Sequence, residues 1–272
     1  MQKKILADYH FHPNLPRNYA KAIKKAKQIW QIFEDVGLGV VLITEHSFKH
    51  PKQTFELMMQ TRPGGSSTMI FPGVEVLTKQ GVEMVCFAKH PSIYNHPYLM
   101  KPGYIDLDIL LAKIEQLQTV YGFVTHPFSL SSTGMVRQEG IAYTKKAIEQ
   151  LKAVEIHNSC YDELLPIAKK FGLYKLLPRK YTWMKRTSLL PDDFKDLDID
   201  FYALSSDAHT PLFIGGGGYI YTNGDFEDDL FDSLIHNQNI ELAPSHRHTT
   251  ADILQYGWET FREWCIKKKY GI

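Results

Sequence analysis

The chain is poor in cysteine, almost free of net charge, and without any long apolar run. Three cysteines, Cys86, Cys160 and Cys265, occur in 272 residues, and none forms a Cys-x-x-Cys pair. So sparse and odd a set excludes a disulfide framework and a thiolate zinc site, and implies free thiols in a reducing compartment. Lys plus Arg number 31 against 30 Asp plus Glu, leaving a formal charge of +1. No global field is present to recruit nucleic acid or an anionic membrane surface. No stretch approaches the roughly 18 apolar residues of a membrane span. The first apolar stretch, residues 5–7, ends at Asp8, too early for the core of a signal peptide. These absences point to a cytoplasmic protein with no membrane partner; they leave oligomeric state open. Neither a repeat nor an interdomain linker is visible, and residues 63–67 and 128–140 read as surface loops. With 44% hydrophobic and 22% charged residues the chain is ordinarily globular. We expect one domain over 1–272, with its motifs in a core over 5–222 and a C-terminal extension over 223–272.

What the chain does have is alternation. Short apolar runs fall at 5–7, 39–43, 69–76, 82–88, 121–124, 153–156, 201–204 and 219–221, and residues 18–36, 106–120, 143–152 and 162–171 show helical spacing between several of them. Strand–helix alternation over a whole chain predicts a parallel α/β sheet, closed into a TIM-like barrel or left open. The stretch 250–268 has helical period, with Ile253, Leu254, Trp258, Phe261 and Trp264 available to pack on the outside of the barrel.

The chain also has twelve histidines, and their positions matter more than their number. Five apolar runs end or continue in candidate metal ligands: Asp8-Tyr9-His10-Phe11-His12, Thr44-Glu45-His46, Gly73-Val74-Glu75, Thr125-His126-Pro127 and Ser206-Asp207-Ala208-His209. In a parallel barrel the C-terminal strand ends emerge on one face, so clusters scattered over the chain would converge there. His10 and His12 lie two apart, as do Asp207 and His209, so on extended backbone each pair points one way. Any one cluster alone is a weak signal. Five at five strand ends imply a multinuclear site, because so many buried imidazoles and carboxylates need a compensating cation. Imidazole and carboxylate without thiolate suit two or three divalent ions of zinc, manganese or iron.

These motifs, with Ile214-Gly215-Gly216-Gly217 after the last of them, resemble in order and spacing the PHP (polymerase and histidinol phosphatase) family, over roughly residues 5–221. The resemblance implies a distorted (β/α)7 barrel that hydrolyses phosphoesters with two or three metal ions. It would assign His10, His12, Glu75 and Asp207 to one ion, Glu75 and His126 to a second, and His46 and His209 to a third. Two departures follow. Arg17 and Asn18 occupy the region where relatives carry a further ligand after the His-x-His pair. Near the place of a second-ion histidine stands Glu83, with His90 beyond the strand end, so either could serve. His157 replaces a commonly aromatic residue and is a further candidate.

The chemistry expected is metal-dependent hydrolysis of a small phosphomonoester or nucleotide by a metal-bridged hydroxide, with His46 or His209 as general acid for the leaving oxygen. Glu45 could orient a ligand imidazole or form a simple salt bridge. Arg17, Lys89, Arg137 and Arg179 are candidate phosphate contacts. The glycines at 215–218 could form an anion nest, or a tight turn needing positive φ. Nucleic acid is expected only as a short substrate. Two other readings stand beside this one: an amidohydrolase-type C–N or C–O hydrolase, for which no metal-bridging lysine is apparent on a middle strand, and a degenerate barrel that binds without catalysing.

Overall fold

The computed structural model describes residues 2–128, 134–160 and 190–244, together with Trp258, Arg262, Cys265, Ile266 and Lys268. All eight apolar runs are strands: β1 (Lys3–Phe11), β2 (Leu38–Ile43), β3 (Met69–Leu77), β4 (Glu83–Phe87), β5 (Tyr121–Val124), β6 (Ala153–Asn158), β7 (Phe201–Ser205) and β8 (Gly218–Thr222). They form one sheet in the order β7-β6-β5-β4-β3-β2-β1-β8. The sheet curls until it is nearly closed. After β7, the Asp207 amide donates to the His10 carbonyl and the His12 amide to the Ala208 carbonyl, tying the end strand β7 to β1 at one rim.

The expectation of an all-parallel sheet is corrected at two strands. β4 runs antiparallel to both β3 and β5, and β8 runs antiparallel to β1. Only residues 78–82 separate β3 from β4, whereas a parallel crossover needs a dozen residues or more. The chain turns back there, with Gly81 at φ +80°. The fold is thus a mixed α/β barrel-shaped sheet rather than a regular strand–helix repeat.

Six helices accompany the sheet among the described residues: α1 (Tyr19–Asp35), α2 (Pro51–Gln60), α3 (Leu107–Gln116), α4 (Met135–Glu139), α5 (Ile141–Leu151) and α6 (Glu227–Ile235). Asn18 caps α1 by accepting from the Lys21 amide, and Asp106 caps α3 through the Asp108 amide. The helix expected over 162–171 lies outside the described residues, as does most of 250–268. Trp258 in that stretch, expected to pack, is 61% exposed. No helix among the described residues is long and apolar enough to cross a membrane.

Two apolar clusters follow from strand alternation. Ile5, Ala7, Tyr9, Val40, Leu42, Phe71, Val85, Phe87, Phe123, Ala203 and Ile220 form the inner one, with Leu230, Phe231, Leu234 and Ile235 of α6. Alternate residues such as Leu6, Val41, Val74, Cys86 and Val154 join Trp30 and Phe33 of α1, Met58 of α2 and Ile148 of α5 in the outer one. Phe231 packs against Phe71, Phe87 and Tyr121, so α6 closes the end opposite the C-terminal ends of the parallel strands. Tyr9 donates its buried hydroxyl to the Leu234 carbonyl at 2.9 Å. The end left for chemistry is the other one.

Candidate metal centre

Strict alternation in β1 would send Phe11 inward with Tyr9. Instead Tyr9 joins the inner cluster and Phe11 the outer, against Phe33. The cause is a bulge: Asp8 pairs with Val41 and Phe11 with Ile43, so β1 has one residue more than β2 over this stretch. The bulge turns His10 and His12 into the mouth, their Nε2 atoms 2.9 Å apart. Asp8 anchors it by accepting from the His10 amide at 3.2 Å and the Ser206 amide at 2.9 Å.

Glu75 on β3 and Glu83 on β4 follow ordinary period-two logic, each in phase with inner residues, Phe71 and Val85 respectively. Because β4 is antiparallel, its first residue lies beside the last residues of β3. Glu83 pairs with Leu77 and so reaches the same rim. His90 follows the other end of β4, is exposed, and is not brought to the cluster. His126 and Asp207 both sit in left-handed backbone, φ +28° and +51°, which costs on the order of 1–3 kcal/mol at each such residue.

The resulting cluster is dense. Glu75 Oε1 lies 3.3 Å from Nε2 of both His10 and His126, and Glu75 Oε2 lies 2.5 Å from His46 Nδ1. Asp207 Oδ1 is 3.3 Å from Nε2 of both His12 and His209. The rings of His12, His46 and His209 form a triangle, with centroids 4.3, 4.5 and 5.6 Å apart. Three triads have ligand atoms within 4.8 Å of one another: His10, His12 and Asp207; His12, His46 and His209; and His46, Glu75 and Glu83.

Behind them, Glu155 of β6 sets Oε1 3.1 Å from His10 Nδ1, and Asn158 donates to Asp207 Oδ2 at 3.0 Å. Glu45 places Oε1 3.6 Å from His12 Nδ1 while accepting from the His46 and Asn14 amides. Neither Glu155 nor Asn158 is singled out by sequence reasoning. The available signal was a charged residue inside an otherwise apolar strand.

Burial works against charge throughout, and the neighbours decide each outcome. His10 is held well above the ordinary histidine range, because Asp207 and Glu75 outweigh its burial. His12 is lowered by burial and by the His46 and His209 rings. Against the same burial, His46 and His10 hold Glu75 well below the carboxylate range, and His10 and His12 do so for Asp207. Burial likewise opposes Glu45, which His12 and Lys49 bring to about 2. Asp8 is raised to about 6 by burial, which its bonds from Ser206 and His10 only partly offset.

The donor set is one that could hold metal ions. Five imidazoles (His10, His12, His46, His126 and His209) and five carboxylates (Glu45, Glu75, Glu83, Glu155 and Asp207) gather with none more than 6% exposed. Each buried ion costs several kcal/mol unless compensated. Yet Glu75 Oε2, 2.5 Å from His46 Nδ1, makes no hydrogen bond, as expected of a ligand atom that faces a cation rather than a proton donor.

The remaining candidates fall elsewhere. His157 is buried with Nε2 3.0 Å from the Gly216 carbonyl oxygen and belongs to none of the three triads. Lys89 lies past the far end of β4, ion-paired with Asp228 of α6. Arg17 is exposed in the loop between β1 and α1, and Arg137 is exposed on α4 beyond His126. Arg179 lies outside the described residues. Packing accounts for the glycine run: a Cβ on Gly217 would sit 2.1 Å from the Ala7 carbonyl oxygen, and Gly215 has φ +97°.

A scan against protein-family models and a search of curated proteins each return no match. Among solved structures, the crystal structure of PsfC from Pseudomonas syringae PB-5123 is similar, with a TM-score of 0.52 at 18% identity, over 97% of this chain and 99% of that one. This likeness shows a shared fold.

Proposed function

We propose that the protein is a metal-dependent phosphoesterase of the PHP type, acting on a small phosphomonoester or nucleotide. The observation that carries the reading is the position of Glu75, whose two oxygens lie between His10 and His126 on one side and His46 on the other. A carboxylate shared in this way is what a pair of adjacent ions requires. In this reading His10, His12 and Asp207 hold one ion, His126 and Glu83 the next, and Glu75 joins them. His46 and His209 are available to a third ion or to the substrate. When bound, such ions supply Lewis acidity toward phosphoryl oxygens and an activated water near neutral pH.

The chain's own groups then have distinct tasks. Glu155 and Glu45 lie against the far nitrogens of His10 and His12 and fix those rings toward the mouth. His209 and His46 are the candidates to protonate the leaving oxygen; His209 is the more accessible, at 6% against 2%. Inner-cluster side chains and α6 keep water from entering beneath.

Purified protein supplied with Mn²⁺ or Zn²⁺ is expected to hydrolyse an aryl phosphate, and to lose that activity on chelation or in His12→Ala. Hydrolysis that survives either treatment contradicts the proposal.

A further inference from the structure

β6 carries a second bulge, and its effect reaches both halves of the cluster. Ala153 lies in the inner apolar cluster, Val154 and Ile156 in the outer one, so alternation sends Glu155 inward and would send Asn158 outward. Against β7, however, Glu155 pairs with Ala203 and His157 with Leu204, which gives β6 one residue more than its neighbour. Bulges are uncommon between parallel strands, and beside functional sites they re-aim side chains. His157, at the bulge, sets its Nε2 3.0 Å from the Gly216 carbonyl oxygen. Asn158 then faces the mouth together with Glu155: its Nδ2 donates to Glu155 Oε2 at 3.4 Å and to Asp207 Oδ2 at 3.0 Å.

Glu155 divides its two oxygens between ligands that the preceding reading gives to different ions. Oε1 lies 3.1 Å from His10 Nδ1, and Oε2 accepts from the His126 amide at 2.5 Å. His10 is thereby fixed as a ring, with Nε2 left to face the cluster. His126 is fixed as backbone, in a left-handed conformation, φ +28°, that persists only where the surroundings determine it. A bond from an amide to a carboxylate is among the stronger ones available for that purpose. Asp207, also left-handed at φ +51°, is joined to the same carboxylate through the Asn158 carboxamide. One carboxylate can satisfy both partners in one orientation only, so the His10 ring and the His126 backbone are not set independently.

Resting on the two ion positions of the phosphoesterase reading, and not on its ester, we propose that Glu155 is a positioning residue for both ions at once, with Asn158 locking its carboxylate. The role goes beyond orienting the His10 ring, because the second ion's ligand depends on the same group.

The test reads each ion separately in the full chain. Wild type, Glu155→Gln and, as a control for one position, Glu83→Gln are titrated calorimetrically with Mn²⁺ and compared by anomalous scattering from crystals at subsaturating Mn²⁺. Glu155→Gln should weaken both binding steps by about 10–100-fold, the effect of losing such a supporting partner. It should lower the peak beside His10 and the peak beside His126 together, whereas Glu83→Gln should lower only the latter. The circular dichroism of metal-free Glu155→Gln should match wild type, which separates positioning from folding. Loss at only one position, or at neither, overturns the proposal. Wild type that binds two ions yet hydrolyses no aryl phosphate overturns the phosphoesterase reading and leaves the positioning role standing; wild type that binds none overturns both. If Glu155→Gln does not fold, Asn158→Ala decides: lower occupancy at both positions supports the shared device, and wild-type occupancy, or loss at the Asp207 position alone, overturns it.

Discussion

At the scale of single residues, the candidate centre is made by side chains whose neighbours override their ordinary behaviour. His10 shows this most clearly, because burial alone would strip its proton while Asp207 and Glu75 hold it on. An ion binding there must displace that proton, so ion and proton compete for the same nitrogen. Glu155 settles which way the ring faces, with Oε1 3.1 Å from Nδ1. Glu155→Gln removes that charge with little change in shape, and should weaken Mn²⁺ affinity by about 10–100-fold, as losses of such supporting carboxylates do. A metal titration followed by activity checks this, and an unchanged midpoint would count against the role. The ligand candidates His10, His12, His46, Glu75, His126, Asp207 and His209 were legible because each stands at or just past the end of an apolar run. Glu155 and Asn158 were not: their roles depend on β6 lying across the mouth from β1, which no local pattern states.

At the scale of elements, irregularities position the centre. The β1 bulge reverses alternation between Tyr9 and Phe11 and so aims the His-x-His pair inward. The antiparallel β4 carries Glu83 to the rim and His90 away from it. The sequence leaves the choice between Glu83 and His90 open only if β4 is parallel, and the five residues before it are too few for a crossover. All eight strands and helices α1, α3 and α5 were readable from period. α2, α4 and α6 were not: α2 opens at a proline, α6 has three acidic residues in its first turn, and the five-residue α4, with Met135 and Val136 buried, falls within 128–140, which reads as a surface loop. Barrel closure depends on Gly217, whose absent side chain lets β8's approach pass within contact of the Ala7 carbonyl. Gly217→Ala should therefore destabilise the fold by about 1–3 kcal/mol, the usual cost of overpacking, seen as an earlier urea midpoint. A midpoint equal to wild type would show that closure there is slack.

At the scale of the molecule, two ends of one barrel-shaped sheet are given opposite tasks. The far end is sealed by α6 against phenylalanines of the inner cluster, and the near end gathers ten buried ionisable side chains. Such a distribution is stable only if something with positive charge sits among the carboxylates. Strand identity foretold which residues would meet there, and strand direction, which it did not foretell, decided how. The account stands most directly on anomalous scattering from crystals of protein loaded with Mn²⁺ or Zn²⁺ without chelator. It predicts at least two anomalous peaks flanking Glu75, one reached by His10, His12 and Asp207 and one by His126 and Glu83. Metal-replete crystals with no peak between these residues would contradict it.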